Sequence, residues 1–168
     1  MKAYKNLLAI VFILLTSAAF AILIPFDSTL FRVVFGVTIS IFLLNILSRN
    51  SIAFKPYFTS KWNIFTSKFR KDFQTEIPSE LIFDKLLEVI ENSQFKLKYA
   101  DKKKFEILAT SEFTFNSWGE NIYITLLESG PINVVRFESV TLFQMYSWGK
   151  NEKNFNKFLE QMEDSLTI

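Results

Sequence analysis

The chain has 168 residues, no histidine, no cysteine, 20 phenylalanines and a formal net charge of +2. The two missing residue types exclude Ser-His-Asp and Cys-His nucleophilic sites, Cys/His zinc sites, thiolate redox chemistry and disulfides. Residues 1–50 carry net +3, residues 51–71 net +5 and residues 72–168 net −6, the reverse of a nucleic-acid binder, whose basic face lies on the folded domain.

The phenylalanine excess reads as part of a Phe/Ile/Lys/Asn-rich compositional bias, not as an aromatic binding device. Nothing in the residue pattern implies a cofactor or a metal. Two apolar runs open the chain. Leu7 to Ile24 and Leu30 to Leu47 are each 18 residues long, near the length that crosses a bilayer core in helical form. The first has no charge; the second has only Arg32, close enough to its start to reach the head groups. Pro25 to Thr29 suits a tight turn, so a transmembrane helical hairpin over residues 1–50 is expected. A second reading stays open. Lys2 and Lys5, the apolar Leu7 to Leu15 and Ala19-Phe20-Ala21 also fit a cleaved signal peptide. Lysine and arginine flank the pair outside the short loop, which predicts cytoplasmic N- and C-termini at a multi-pass inner membrane.

Residues 51–71 form an aromatic and basic neck. Phe58-Thr59-Ser60-Lys61-Trp62 is echoed seven residues later by Phe65-Thr66-Ser67-Lys68-Phe69. As a helix this would align Phe58, Trp62, Phe65 and Phe69 on one face, with Lys61, Lys68, Arg70 and Lys71 available to anionic lipid. The alternative is a linker whose aromatics pack on the domain, or the first strand of that domain.

Residues 72–168 predict an α+β domain. Phe73, Thr75 and Ile77 alternate as a short strand. Ile82, Phe83, Leu86, Val89 and Ile90 recur at helical spacing, with Ser79 as N-cap and Asn92-Ser93 as the stop. Phe95 to Tyr99 and Phe105 to Phe115 alternate as strands around an Asp101 to Lys104 turn. Strands follow over Glu120 to Leu127 and Ile132 to Val140, separated by Ser129-Gly130-Pro131. A final helix spans Glu152 to Ser165, with Phe155, Phe158, Leu159, Met162 and Leu166 on one face. The order β-α-β-β-β-β-α with short connections predicts an antiparallel sheet covered on one face by two helices. A pleckstrin-like partial barrel is the alternative, against which the early helix counts.

One internal echo lies at element boundaries. Phe113-x-x-x-Ser117-Trp118-Gly119-Glu120-Asn121 recurs as Phe143-x-x-x-Ser147-Trp148-Gly149-Lys150-Asn151. Each glycine can take a positive φ at its turn, and each tryptophan joins an apolar body to an N–H donor. If the two turns meet at one end of the sheet, Glu120 and Lys150 can pair. Trp118, Gly119, Glu120, Asn121, Trp148, Gly149, Lys150 and Asn151 are therefore the candidate interaction residues. The competing reading makes them two structural corners, with Asn151 capping the last helix.

Together with Ile107-Leu108-Ala109-Thr110-Ser111, these Trp-Gly segments resemble uncharacterised small bacterial membrane proteins. The resemblance covers most of residues 70–168. It implies an N-terminal helical pair and a C-terminal α+β domain with Trp-Gly turns, and it brings no activity, catalytic residue or ligand.

A Ser/Lys pair (Ser117 or Ser147 with Lys150) is the nearest approach to a nucleophile and base. No nucleophile elbow, phosphate loop or carboxylate pair accompanies it, so no catalytic residue is assigned. The expectation is a membrane-anchored cytoplasmic interaction or adaptor module. It would contact membrane lipids and bind a protein partner or itself, and not nucleic acid. Two alternatives stay open: a lipid- or small-molecule-binding domain, and an accessory subunit that packs through Gly36 and Ser40 of the second apolar run.

Overall fold

The computed structural model describes residues 11, 14–19, 22, 28–49, 55–61, 66–114, 117–129 and 132–166. The chain divides into two compact units, Met1–Tyr57 and Phe58–Ile168.

In the first unit the second apolar run forms helix α1 (Thr29–Arg49). Ser28 caps it, its Oγ accepting the Phe31 N–H at 3.4 Å while its carbonyl accepts the Arg32 N–H at 3.1 Å. Over Thr29–Leu47 it is long and apolar enough to cross a membrane, the one such helix among the described residues. Residues 14–19 of the first apolar run are also helical. Much of that run lies outside the described residues, and with it the two-helix hairpin. Gly36, Ser40 and Leu44 are the buried side of α1, and Ser40 Oγ lies 3.2 Å from Ser17 Oγ. The small-residue face expected to meet another helix thus meets the first apolar run of the same chain. Leu30, Phe31, Val33, Val34, Ile46 and Leu47 point outward from α1.

A single helical turn, α2 (Lys55–Phe58), spans the boundary between the units. The second unit then runs β1 (Lys68–Thr75), α3 (Ser79–Glu91), β2 (Lys96–Asp101), β3 (Glu106–Thr110), β4 (Glu120–Ser129), β5 (Ile132–Thr141) and α4 (Lys150–Leu166). This is the predicted α+β order. The five strands form one sheet in the order β1-β5-β4-β3-β2, every pair antiparallel. Adjacent strands from β2 to β5 are joined by short connections. β1 reaches its place beside β5 because α3 carries the chain across the sheet.

Side-chain parity decides the layers. Ile122, Ile124 and Leu126 of β4, Val135 and Phe137 of β5, and Ile107 and Ala109 of β3 share one buried face. Against it lie Ile82, Phe83, Leu86, Val89 and Ile90 of α3 and Phe158 and Met162 of α4. Phenylalanine fills the space between. Phe137 meets Phe158 tilted at 5.0 Å and Phe155 edge-on at 5.4 Å; Phe69 and Phe73 of β1 reach Phe155 and Phe158 at 5.6 and 6.3 Å. Each ring pair adds about 0.5–1.5 kcal/mol to the burial term. Much of the phenylalanine excess is therefore core.

Three local expectations change. The first strand begins at Lys68, not near Phe73, so Lys68, Phe69, Arg70 and Lys71 are strand residues and not part of an interfacial helix. β1 is an edge strand, and its charged residues suit an edge that must not recruit another strand. Phe58 is fully buried, edge-on to the Phe143 ring at 5.8 Å. Of the expected aromatic face, Trp62 and Phe65 lie outside the described residues, while Lys61 is exposed in a turn. Finally, Ser79 is the first residue of α3 and Pro78 holds the cap position without a side-chain bond. Ser79 Oγ donates instead to Asn133 Oδ1 at 3.2 Å.

Candidate functional site

The two Trp-Gly turns lie at the same end of the sheet. Glu120 at the start of β4 pairs with Thr141 at the end of β5, and the Trp118 N–H donates to Gln144 Oε1 at 3.2 Å. Gly119 and Gly149 both have positive φ, at 85° and 75°, the left-handed backbone expected of them. β1 also begins here. The Ser67 N–H donates to Gln144 O at 3.1 Å, and the Thr141 N–H to Ser67 O at 2.9 Å.

At this end the apolar core gives way to a buried polar cap. Glu120 continues the inward row of Ile122, Ile124 and Leu126, and it is fully buried. Its carboxylate accepts from the Ser111 and Ser117 hydroxyls and from Asn154 Nδ2 at 3.0 Å. Those hydroxyls also accept backbone donors: Ser111 Oγ takes the Glu120 N–H at 2.8 Å, and Ser117 Oγ the Gly119 N–H at 3.2 Å. Asn151 Oδ1 accepts from Ser139 Oγ at 2.8 Å, and Asn151 Nδ2 donates to Ser67 Oγ at 3.2 Å. Three elements are locked through one carboxylate: the turn before β4, the strand itself and helix α4.

The arrangement corrects two expectations. Glu120 is held by two serines and an asparagine, not by Lys150. Asn151 lies inside the first turn of α4 and bonds β5 and residue 67, so its side chain is not the helix cap. Of the eight candidate interaction residues, Gly119, Glu120, Asn121 and Asn151 are buried, Trp118 and Lys150 are half-buried, and only Trp148 and Gly149 are exposed. Ser117, one of the two serines weighed with Lys150, donates to the Glu120 carboxylate instead.

The second turn differs from the first in what it shows to solvent. Met145, Tyr146 and Trp148 are 59, 67 and 75% exposed. The Tyr146 and Trp148 rings meet at 6.1 Å. Phe143 and Trp148 have φ of 55° and 50°, a region where L-residues lose roughly 1–2 kcal/mol. The Lys150 N–H closes the turn on Ser147 O at 2.8 Å. Phe113, in the neighbouring loop, is 54% exposed.

The sheet face opposite the helices carries a second buried polar group. Asn121 Nδ2 donates to Tyr123 OH at 3.1 Å. Burial pushes the Tyr123 phenol up to about 12, against the opposing pull of the Asn121 amide. Asn121 Oδ1 and Lys68 Nζ are buried with no hydrogen-bond partner among the described residues. The loss of hydration draws the Lys68 amine below the usual lysine value, only partly offset by Glu138. Further along this face Arg136 grips Asp72 with two bonds of 3.0 and 2.8 Å, which holds the Asp72 carboxyl below the usual range.

The chain joins an apolar helix of membrane-spanning length to a two-layer α+β domain. No protein-family model matches the chain, and no curated protein does. Among solved structures, the crystal structure of Ara h 8.0201 is similar at 7% identity and a TM-score of 0.48, over 61% of this chain and 99% of that one. The crystal structure of TTHA0849 from Thermus thermophilus is similar at 10% identity and a TM-score of 0.39, over 59% of this chain and 96% of that one. At these scores neither likeness carries a functional argument.

Proposed function

We propose that the chain is a membrane-anchored interaction module of the adaptor type, and that its working surface is the end of the second unit carrying the two Trp-Gly turns. The observation that carries this reading is the Met145–Trp148 loop. The fold leaves three large side chains in water there, with Trp148 in the loop and Phe143 just before it both at positive φ. Neither feature favours folding. Both suit a loop shaped to present apolar groups to something outside the domain.

The anchor is the pair of apolar runs, embedded in the cytoplasmic membrane with both termini inside. Support comes from the lysines and arginines that flank the pair and from the outward apolar side chains of α1, the inverse of a helix on a water-soluble surface. An accessory subunit packed through Gly36 and Ser40 has less to recommend it, because Ser40 meets Ser17 within the chain. Ligand binding between sheet and helices is disfavoured by the phenylalanines that fill that space.

The test is a photo-crosslinking amino acid placed in cells at Tyr146, and separately at Leu81. Leu81 is 62% exposed and lies in the first turn of α3, at the opposite end of the sheet. Adducts from position 146 well above those from 81 support the reading. Equal yields at both positions overturn it.

A further inference from the structure

Resting on that reading of the surface, we infer that the Met145–Trp148 loop and Phe113 insert into the lipid head-group boundary, so that this end of the domain sits on the membrane that anchors it.

Chain connectivity is the first argument. The second unit begins at Phe58, and Phe58 packs on Phe143 at this same end. β1 also starts here, with Ser67 bonded to Gln144 and Thr141. Helix α1 ends at Arg49. Between Arg49 and Phe58 lie eight residues, of which Lys55–Tyr57 are already helical. Extended chain for the rest and helical rise for the turn reach at most about 25 Å. A domain of this size is roughly 35 Å across. The tether is shorter than the domain, and it is attached at the aromatic end. The chain leaving the apolar unit therefore joins the second unit at its aromatic end.

Chemistry is the second argument. From Leu142 to Gly149 the sequence is Leu-Phe-Gln-Met-Tyr-Ser-Trp-Gly, with no Asp, Glu, Lys or Arg. Tryptophan and tyrosine concentrate at membrane–water boundaries, where an apolar ring and a polar tip are both accommodated. Trp148 and Tyr146 supply that pair side by side, with Met145 as a flexible apolar neighbour and Lys150 following directly. A protein-binding surface of the strand-addition kind has no such support. Both free edges, β1 and β2, carry lysines, and β2 has a register break between Leu97 and Tyr99.

The third argument is mechanical. The polar cap around Glu120 fixes the loop before β4 to the sheet and to α4, and Gln144 ties the second loop to Trp118 and to Thr141. Side chains that insert need a stiff mount, or the ordering cost consumes the gain.

The chain's lack of cysteine makes the test direct. Single cysteines are placed at Tyr146, Phe113 or Leu81 of the full chain and spin-labelled. The proteins are reconstituted in phosphatidylethanolamine–phosphatidylglycerol vesicles, and collisions with oxygen and with a water-soluble nickel complex are compared. Insertion gives an oxygen-to-nickel ratio several-fold higher at 146 and 113 than at 81. Trp148→Asp, at an exposed position, should lower the ratio at 113 toward that at 81 without changing the melting temperature. A ratio at 146 equal to that at 81 overturns the lipid assignment. Shielding of position 146 from both reagents also overturns it, in favour of a second copy of the chain. If 146 is water-exposed in vesicles yet still forms protein adducts in cells, the working surface stands and lipid is not its occupant. If it is water-exposed and forms no adducts above Leu81, both readings fall.

Discussion

Removing the Glu120 carboxylate should show how much of the domain hangs on the polar cap. In Glu120→Ala, the Ser111 and Ser117 hydroxyls and Asn154 Nδ2 lose their acceptor in a fully buried place. An orphaned buried donor costs about 1–3 kcal/mol. The lower figure applies to all three. Each serine oxygen keeps its backbone N–H, and Asn154 Nδ2 retains a longer bond of 3.4 Å to Ser139 Oγ. The sum is roughly 3 kcal/mol. The small void left behind adds to it, and release from burying a carboxylate subtracts. The net expectation is a loss of about 2–4 kcal/mol, a fall in Tm of roughly 10–15 °C for a domain near 110 residues. Glu120→Gln keeps the shape but turns one oxygen into a donor facing a serine, so its loss should be about half as large. The assay is thermal unfolding of the full chain in mild detergent, followed by tryptophan fluorescence. Limited proteolysis between residues 111 and 119 serves as the local readout. If Glu120→Ala melts within about 2 °C of the parent and its turn resists protease equally, the carboxylate does not hold the turn before β4 and the account of the cap is refuted.

Phe137→Ala, at the centre of the ring cluster, should cost about 3–5 kcal/mol in the same melts. Trp148→Gly should leave stability unchanged or slightly raised, because an exposed side chain is lost while a φ of 50° becomes unstrained; a clear loss would show that Trp148 serves the fold. The Tyr123 phenol, raised to about 12 by burial, favours the folded state fully below pH 10, and that advantage is lost as pH rises from 10 through 12. The unfolded chain binds fewer protons there, so stability should fall by up to about 3 kcal/mol, and Tyr123→Phe should remove this part of the alkaline decline. The Asp72 carboxyl, lowered by Arg136, works in the opposite sense. Its contribution is present above the ordinary carboxyl value and is lost as pH falls through the folded value. Because the pair is largely exposed, the acid-side increment should be below about 1 kcal/mol and absent from Asp72→Asn.

The elements that could be read from sequence are those whose burial is apolar. α3 and the end of α4 announced themselves by leucine, isoleucine and phenylalanine at helical spacing, and β4 and β5 by alternation. β1 stayed hidden because Lys71 interrupts Phe69 and Phe73 on the inward face. At an edge strand such a charge reaches solvent around the margin, and the pattern breaks without the strand breaking. The heptad echo across Phe58 to Phe69 then suggested a helix over a span whose described residues fall in a helical turn, a turn at Thr59 and Lys61, and a strand.

The polar cap was missed for a related reason, yet a signal for it was present. Glu120 has the parity of Ile122, Ile124 and Leu126. Asn151 and Asn154 extend the buried stripe of Phe158 and Met162 back by the same three- and four-residue steps. A charge at the head of an apolar row, with asparagines at the head of an apolar helix face, points inward at both. Reading polar residues by the position they hold, not by their hydrophilicity, places all three inside. The same parity argument separates the two Trp-Gly turns. The first is followed by a residue that must enter the core, so its turn is drawn in and its tryptophan is half covered. The second is followed by a helix whose inward residue comes one position later, at Asn151, and this leaves Trp148 outside. The echo is one turn chemistry used twice, once to close the end of the core and once to put an aromatic pair where the tethered end of the domain meets its surroundings.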